Sequence, residues 1–171
     1  FLIGYIRGNV QFICSLKGKG FIMVVLGSDH AGYPLKLEII EHLKENGIDY
    51  IDVGCYSPER YDYAVVAQKA CDKVVSGEAD KAILCCGTGI GISMAANKVK
   101  GIRAACCSDY FSAKYTRAHN DANCLCMGAR VVGAGLAIEL VDVFLNTEFE
   151  GGRHQTRIDQ IADIENGKKL Y

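Results

Sequence analysis

From Met23 onward, short β-like apolar runs alternate with stretches of helical period, and this alternation restricts the chain to a parallel α/β sheet more tightly than its composition does. The strand candidates are Met23–Ser28, Asp49–Val53, Lys81–Cys86, Ile102–Cys107 and Asn123–Met127, all apolar enough to be covered on both faces. Between them the spacing predicts a helix over Pro34–Asn46, with Leu35, Ile39, Ile40 and Leu43 on one stripe. A second is predicted over Tyr63–Val75, with Val66, Ala70 and Val74 beside Ala67, Cys71 and Val75. Shorter helices are expected at Ile92–Asn97 and Tyr110–Arg117, a longer one at Gly135–Leu145, and a last at Gln155–Asn166 after a flexible joint at Glu150-Gly151-Gly152. The expected fold class is α/β, a single-domain Rossmann-like αβα sandwich on a five-stranded parallel sheet, with residues 23–171 as the domain. Residues 1–22 differ in texture and are set aside as an N-terminal extension whose apolar runs around Arg7-Gly8-Asn9 suit a hairpin. They lack the charged start, long apolar centre and small-residue cleavage site of a signal peptide, and the length of a membrane span.

A chain of 171 residues, half of them apolar and only two of them proline, has the material for one sizeable core. Its net charge of -1 offers no basic field, so nucleic acid and anionic membrane are excluded as main partners, and a bound anion must be met by a local cluster. Nine cysteines, an odd number without zinc-ribbon spacing, do not form a disulfide framework and fit a reducing cytoplasm. Cys85-Cys86, Cys106-Cys107 and Cys124-x-Cys126 fall in apolar runs and read mostly as small buried hydrophobes. Adjacent strand residues point to opposite faces, so neither doublet chelates one ion.

In an open parallel sheet the ligand crevice lies at the strands' carboxyl ends, where loops meet helix N-termini. The segments placed there are Asp29-His30-Ala31-Gly32, Gly54–Asp62, Gly87–Gly91, Ser108-Asp109 and Gly128-Ala129-Arg130. Gly87-Thr88-Gly89-Ile90-Gly91 begins like a dinucleotide fingerprint, with Asp109 about one βα unit on. The third glycine would fall at position 92, which is Ile92, and the strand is the third of the sheet, not the first. No Gly-Lys-Ser/Thr follows, which removes a Walker loop. What remains is a nest of backbone N–H groups for a phosphate or a developing oxyanion. Cys86 stands immediately before it. Beside helix N-terminal amides its thiolate is favoured, as for a base or nucleophile, although a buried strand cysteine satisfies the same position.

Ser28-Asp29-His30-Ala31-Gly32, Ser57-x-Glu59-Arg60-x-Asp62-Tyr63, Cys86-Gly87-Thr88-Gly89-Ile90-Gly91, Ala95-Ala96-Asn97-Lys98, His119-Asn120-Asp121, Gly128-Ala129-Arg130-Val131-Val132-Gly133 and Glu150-Gly151-Gly152-Arg153-His154-Gln155-x-Arg157 occur in series. From about Met23 to Asn166 the chain resembles the ribose-5-phosphate isomerase B family, which shares its fold with galactose-6-phosphate isomerase subunits. The resemblance implies an aldose–ketose isomerisation of ribose 5-phosphate through a cis-enediolate, without metal or organic cofactor. By matching position it makes Cys86 the base that moves the proton between carbons, with Gly87, Thr88, Gly89, Ile90 and Gly91 around the enediolate; a helix N-cap is the other reading of Thr88. His119 matches the ring-opening residue, Asn120 a binder of sugar oxygens, and Asp29 the acid that orients hydroxyls. His30 faces the phosphate with Arg130, Arg153 and Arg157, the last two sharing a face if the final helix includes both. Tyr63 lines the site, although Ala64 stands where some relatives have proline. His154 is a neighbour of the arginines and His42 a solvated residue of a polar stripe. The family's sites are completed across a subunit interface, so a homodimer, or a tetramer built from it, is implied. The alternatives are a six-carbon sugar phosphate such as allose or galactose 6-phosphate and, in another class, a dinucleotide-dependent oxidoreductase.

Overall fold

The structure is a computed structural model that describes residues 22–171, so the extension expected before Met23, apart from Ile22, and its hairpin lie outside the described residues. Five strands, β1 (Met23–Ser28), β2 (Asp49–Asp52), β3 (Lys81–Cys86), β4 (Ala104–Cys106) and β5 (Cys124–Gly128), form one sheet in the order β2-β1-β3-β5-β4. All neighbours are parallel. The helices are α1 (Tyr33–Glu45), α2 (Tyr63–Val75), α3 (Ile90–Ala96), α4 (Tyr110–Asn120), α5 (Ala134–Asn146) and α6 (Arg153–Glu165). Among the described residues no helix is long and apolar enough to cross a membrane.

Strand alternation divides the core into two. Val24, Leu26, Ile83, Cys85, Leu125 and Met127 face one side, where Ile39 and Leu43 of α1 and Leu140 and Phe144 of α5 cover them. Val25, Ala82, Leu84, Cys86, Cys124 and Cys126 face the other, under Val66 and Ala70 of α2 and Ile92 and Ala96 of α3. Both faces are covered, so the sheet interior contains no polar alternation. Burying a leucine- or phenylalanine-sized side chain contributes roughly 1.5–3 kcal/mol.

The structure moves several element ends. α4 continues past Arg117 to Asn120, and Asp121, in the left-handed region at φ 45°, ends it. Two arginines hold that end: Arg117 donates to Asp121 Oδ1 at 2.7 Å and to the Ala122 carbonyl at 2.7 Å, and Arg103 donates to Asp121 Oδ2 at 2.8 Å. His119 and Asn120 therefore stand on a helix turn and not in a loop. The joint before α6 is a built turn: Glu150 N donates to Ala118 O at 3.0 Å, and Gly151 and Gly152 take φ of 62° and 56°, which glycine alone adopts without strain. α6 then starts at Arg153. His42 is not simply solvated, because its Nε2 lies 2.7 Å from Asp142 Oδ1 of α5.

Lys36, on the buried side of α1, is the largest departure from expectation for a charged residue. Its side chain is 1% exposed, and its Nζ donates to both Asp52 oxygens at 2.7 Å and to the Cys55 carbonyl at 2.6 Å. The rings of Tyr33 and Tyr56 lie 5.5 and 5.2 Å from the ammonium. One cation thus ties α1 to the end of β2 and the loop beyond it. Removing it leaves Asp52 without its counter-ion, and because that carboxylate keeps 21% exposure the cost belongs at the lower end of the buried-pair range. Lys36→Met is expected to lose about 3 kcal/mol in urea unfolding, and Lys36→Met/Asp52→Leu to regain part of it. A loss under about 1 kcal/mol would show that the pair does not hold the loop.

Candidate active site

Strand order reverses direction between β1 and β3, and in open parallel sheets such a switch point at the carboxyl edge is where ligands bind. Asp29 N donates to Cys85 O at 3.1 Å, so the first residue past β1 is fastened to β3. The Asp29 carboxylate, 7% exposed, accepts from Gly32 N at 2.8 Å. A Cβ on Gly32 would sit 2.3 Å from Cys85 O, so only glycine lets α1 start this close to β3. His30 is exposed, and its Nδ1 accepts from Tyr61 N at 3.4 Å, against the loop after β2.

Cys86 ends β3 on the face opposite Cys85. Its Sγ accepts from Gly89 N at 3.1 Å, which places the sulfur on the nest. Gly89, at φ 78°, is the N-cap of α3, so the N-cap alternative for Thr88 does not hold; the Thr88 hydroxyl accepts from Ile90 N at 3.3 Å. The loop is packed from several sides. A Cβ on Gly128 would lie 2.5 Å from the Thr88 carbonyl carbon, and one on Gly91 would lie 2.9 Å from the Tyr63 ring. Arg130 Nη1 lies 3.4 Å from where a Gly87 Cβ would be. Asp29, His30, Tyr63, Cys86, the run Gly87–Gly91 and Arg130 are thus gathered at one edge. Burial drives the thiol of Cys85 up to about 12 and that of Cys107 up to about 11, which keeps them protonated packing groups.

The other expected residues are at the opposite edge. Cys86 pairs with Gly128 and Ala82 with Cys124, a strand length of about 13 Å at about 3.3 Å per residue. Asn120 belongs to the far end, because its carbonyl accepts from Arg103 Nε at 3.1 Å just before β4 begins. There the His119 ring stacks on His154 at 4.1 Å and 9° and lies 4.7 Å from Tyr115. Arg153 and Arg157 share the start of α6, with Arg157 donating to the Arg153 carbonyl at 2.7 Å. The three arginines therefore do not converge within one chain: Arg130 stands with Cys86, and Arg153 and Arg157 with His119. A cavity of about 550 Å³ opens beside Asn120, lined by Thr116 of α4 and Ile161, Ile164 and Glu165 of α6, and Cys86 is not part of it.

A family model described as Ribose/Galactose Isomerase matches residues 24–161. This chain belongs to the ribose/galactose isomerase family. Ribose-5-phosphate isomerase B of Escherichia coli (strain K12) is 51% identical over 142 residues, covering 83% of this chain and 95% of that protein. The structure of ribose-5-phosphate isomerase B from Clostridium thermocellum superposes with a TM-score of 0.84 at 50% identity, covering 85% of this chain and 99% of that one. The enzyme from Mycoplasma genitalium, solved with bound ribulose-5-phosphate, gives a TM-score of 0.80 at 44% identity, covering 85% of this chain and 97% of that one.

Two features of this family member escaped the sequence reading. Lys36 looked like any helix lysine, and only its spacing within the apolar stripe, one residue after Leu35, gave a signal. Glu150 was read as part of a joint, yet its Oε2 lies 3.7 Å from the Nε2 atoms of both His119 and His154. Burial holds the His154 imidazolium below the usual histidine range, the neighbouring His119 adds to this, and the Glu150 carboxylate opposes it. Its NMR titration midpoint is expected below the ordinary value of about 6.5. Glu150→Gln removes the one carboxylate favouring the charged form, so the midpoint should fall further; a rise in that variant would contradict the assignment.

Proposed function

We propose that the chain interconverts ribose 5-phosphate and ribulose 5-phosphate without metal or organic cofactor, as a homodimer in which each site is completed by both chains. The observation that carries this reading is the Cys86 sulfur resting on Gly89 N at the β1/β3 crevice, while His119 stands at the opposite edge of the same sheet. One chain offers the proton carrier and the oxyanion nest. A second, apposed copy offers the imidazole, Asn120 and the two α6 arginines.

The chemistry follows from these groups. Opening the furanose breaks the C1–O4 bond, with His119 giving a proton to O4 as O1 loses one, a general acid–base task suited to an imidazole. The Cys86 thiolate takes the C2 proton. The C–H electron pair becomes the C1=C2 double bond, and negative charge moves to O1. Amides at the start of α3 without an intrahelical partner are the donors available to that oxygen, each contributing about 3 kcal/mol by the measure of other oxyanion holes. The proton returns to C1 from the Cys86 thiol, the O2 proton passes to O1, and C2 becomes the ketone. Asp29 orients the hydroxyls, and Thr88 adds a hydroxyl at the nest. Tyr63 packs over Gly91 beside the nest. The phosphate is gripped by His30 and Arg130 from one chain and by Arg153 and Arg157 from the other. The eight free cysteines among the described residues suit the reducing cytoplasm, where we place the enzyme.

Protein stripped with EDTA is expected to retain full turnover of ribose 5-phosphate and to rank it by kcat/KM above six-carbon aldose phosphates. A six-carbon preference would displace the substrate, and loss of activity would displace the cofactor-free mechanism. Cys86→Ala should lose at least about 100-fold in kcat. Mixing Cys86→Ala with His119→Asn, each inactive alone, should restore roughly a quarter of wild-type activity, because random exchange makes half the dimers mixed and each mixed dimer has one intact site. No recovery on demonstrated subunit exchange would rule out sites shared between chains.

A further inference from the structure

His119, Glu150 and His154 bring together more donor atoms than ring opening uses. The Glu150 Oε2 lies 3.7 Å from each Nε2, and one ligand atom from each of the three residues falls within 4.8 Å of the others. The scaffold beneath them is tied down. Glu150 N bonds Ala118 O at the end of α4 at 3.0 Å, and His154 N bonds Gly151 O at 3.0 Å. The Gly151-Gly152 turn aims residues 150 and 154 at the same side. Neither arginine of α6 pairs with the Glu150 carboxylate among the described residues, so its lone pairs remain available.

We propose that His119, Glu150 and His154 form a binding site for a divalent first-row transition ion, zinc foremost, whose occupancy inhibits the isomerase. Two imidazoles and a carboxylate are the donor set of open zinc sites, with the fourth position left to water. Imidazole nitrogen selects such ions over magnesium or calcium, which take oxygen. Zinc holds these donors at about 2.0–2.2 Å, which puts them about 3.3 Å apart, so the carboxylate needs to close by only about half an ångström on each ring. The two rings need more. Stacked at 9°, they direct their lone pairs side by side, and one must tilt about its Cβ–Cγ bond to converge. His119, 35% exposed against 11% for His154, is the ring free to do so. Arg153 and Arg157 nearby hold the affinity below that of a structural zinc site, which makes occupancy reversible. A bound ion occupies the lone pair of His119 that would carry the ring-opening proton. The inhibition rests on the role proposed above for His119, and the binding does not.

The probe is Co²⁺, added to EDTA-stripped, desalted wild-type protein and followed by its visible d–d absorption, with Zn²⁺ competition. Saturation near one ion per chain is expected, without a thiolate-to-cobalt charge-transfer band. Glu150→Gln and His154→Gln, each checked for an unchanged circular dichroism spectrum, should weaken binding by at least about the 10- to 100-fold seen for outer-shell losses. Zn²⁺ should inhibit the wild type with the same midpoint as its binding, EDTA should reverse this, and in each variant, measured against its own metal-free rate, the midpoint should rise in parallel. Absence of saturable binding, binding undiminished in both folded variants, or a thiolate band would overturn the site. Binding here without inhibition would overturn the inhibitory role and, with it, the part assigned to His119, while leaving the cysteine chemistry to its own test.

Discussion

Backbone contact between the ends of β1 and β3 organises the carboxyl edge that gathers Asp29, Cys86 and the glycine nest. Asp29 N donates to the Cys85 carbonyl, and α1 begins so near that carbonyl that a side chain at Gly32 has no room. The acid, the helix start and the thiol are thereby placed relative to one another by main-chain geometry, before any side-chain rotamer is chosen. The same device recurs across β3 and β5, where Ala129 N and Arg130 N bond to Cys86 O and Gly87 O and Gly128 lies against Thr88. A site built on such contacts is pre-organised, which is what stabilisation of a developing oxyanion requires.

Buried charges hold the scaffold around this edge through defined partners, although Ser28 Oγ and Arg117 Nε are buried without one. The Lys36 ammonium makes three hydrogen bonds below the loop after β2, and Arg103 and Arg117 divide the oxygens of Asp121 at the far end of α4. A buried pair adds little net stability over an apolar substitute, and its effect here is placement. The first pair fixes the loop that leads to Tyr63, and the second fixes the helix turn that carries His119. The thiols divide between the faces: Cys85 is packed into one core, and Cys86, one residue on, lies at the end of the other with its sulfur on Gly89 N.

Separation of His119 from Cys86 follows from the handed, parallel construction. A helix that leaves the carboxyl end of β4 must return to the amino end of β5, so the end of α4 arrives at the edge away from the thiol. In the proposed dimer, two copies facing opposite ways would bring both edges together twice.

The bounds of β1, β3 and α2 were legible residue for residue, and the glycine nest with its leading cysteine was legible as a motif, because apolar period and glycine spacing are local properties of the chain. The ends of α4 and α6, the short span of β4, the pairing of His42 and the burial of Lys36 were not, since each depends on a partner distant in sequence: Arg103 for Asp121, Ala118 for Glu150, Asp142 for His42, Asp52 and Cys55 for Lys36. By itself the sequence determined the class of fold and the family resemblance, and it named the candidate site residues. Only the tertiary structure decided that they stand in two groups at opposite edges of one sheet, because strand order and crossover direction, not spacing along the chain, set which loops meet.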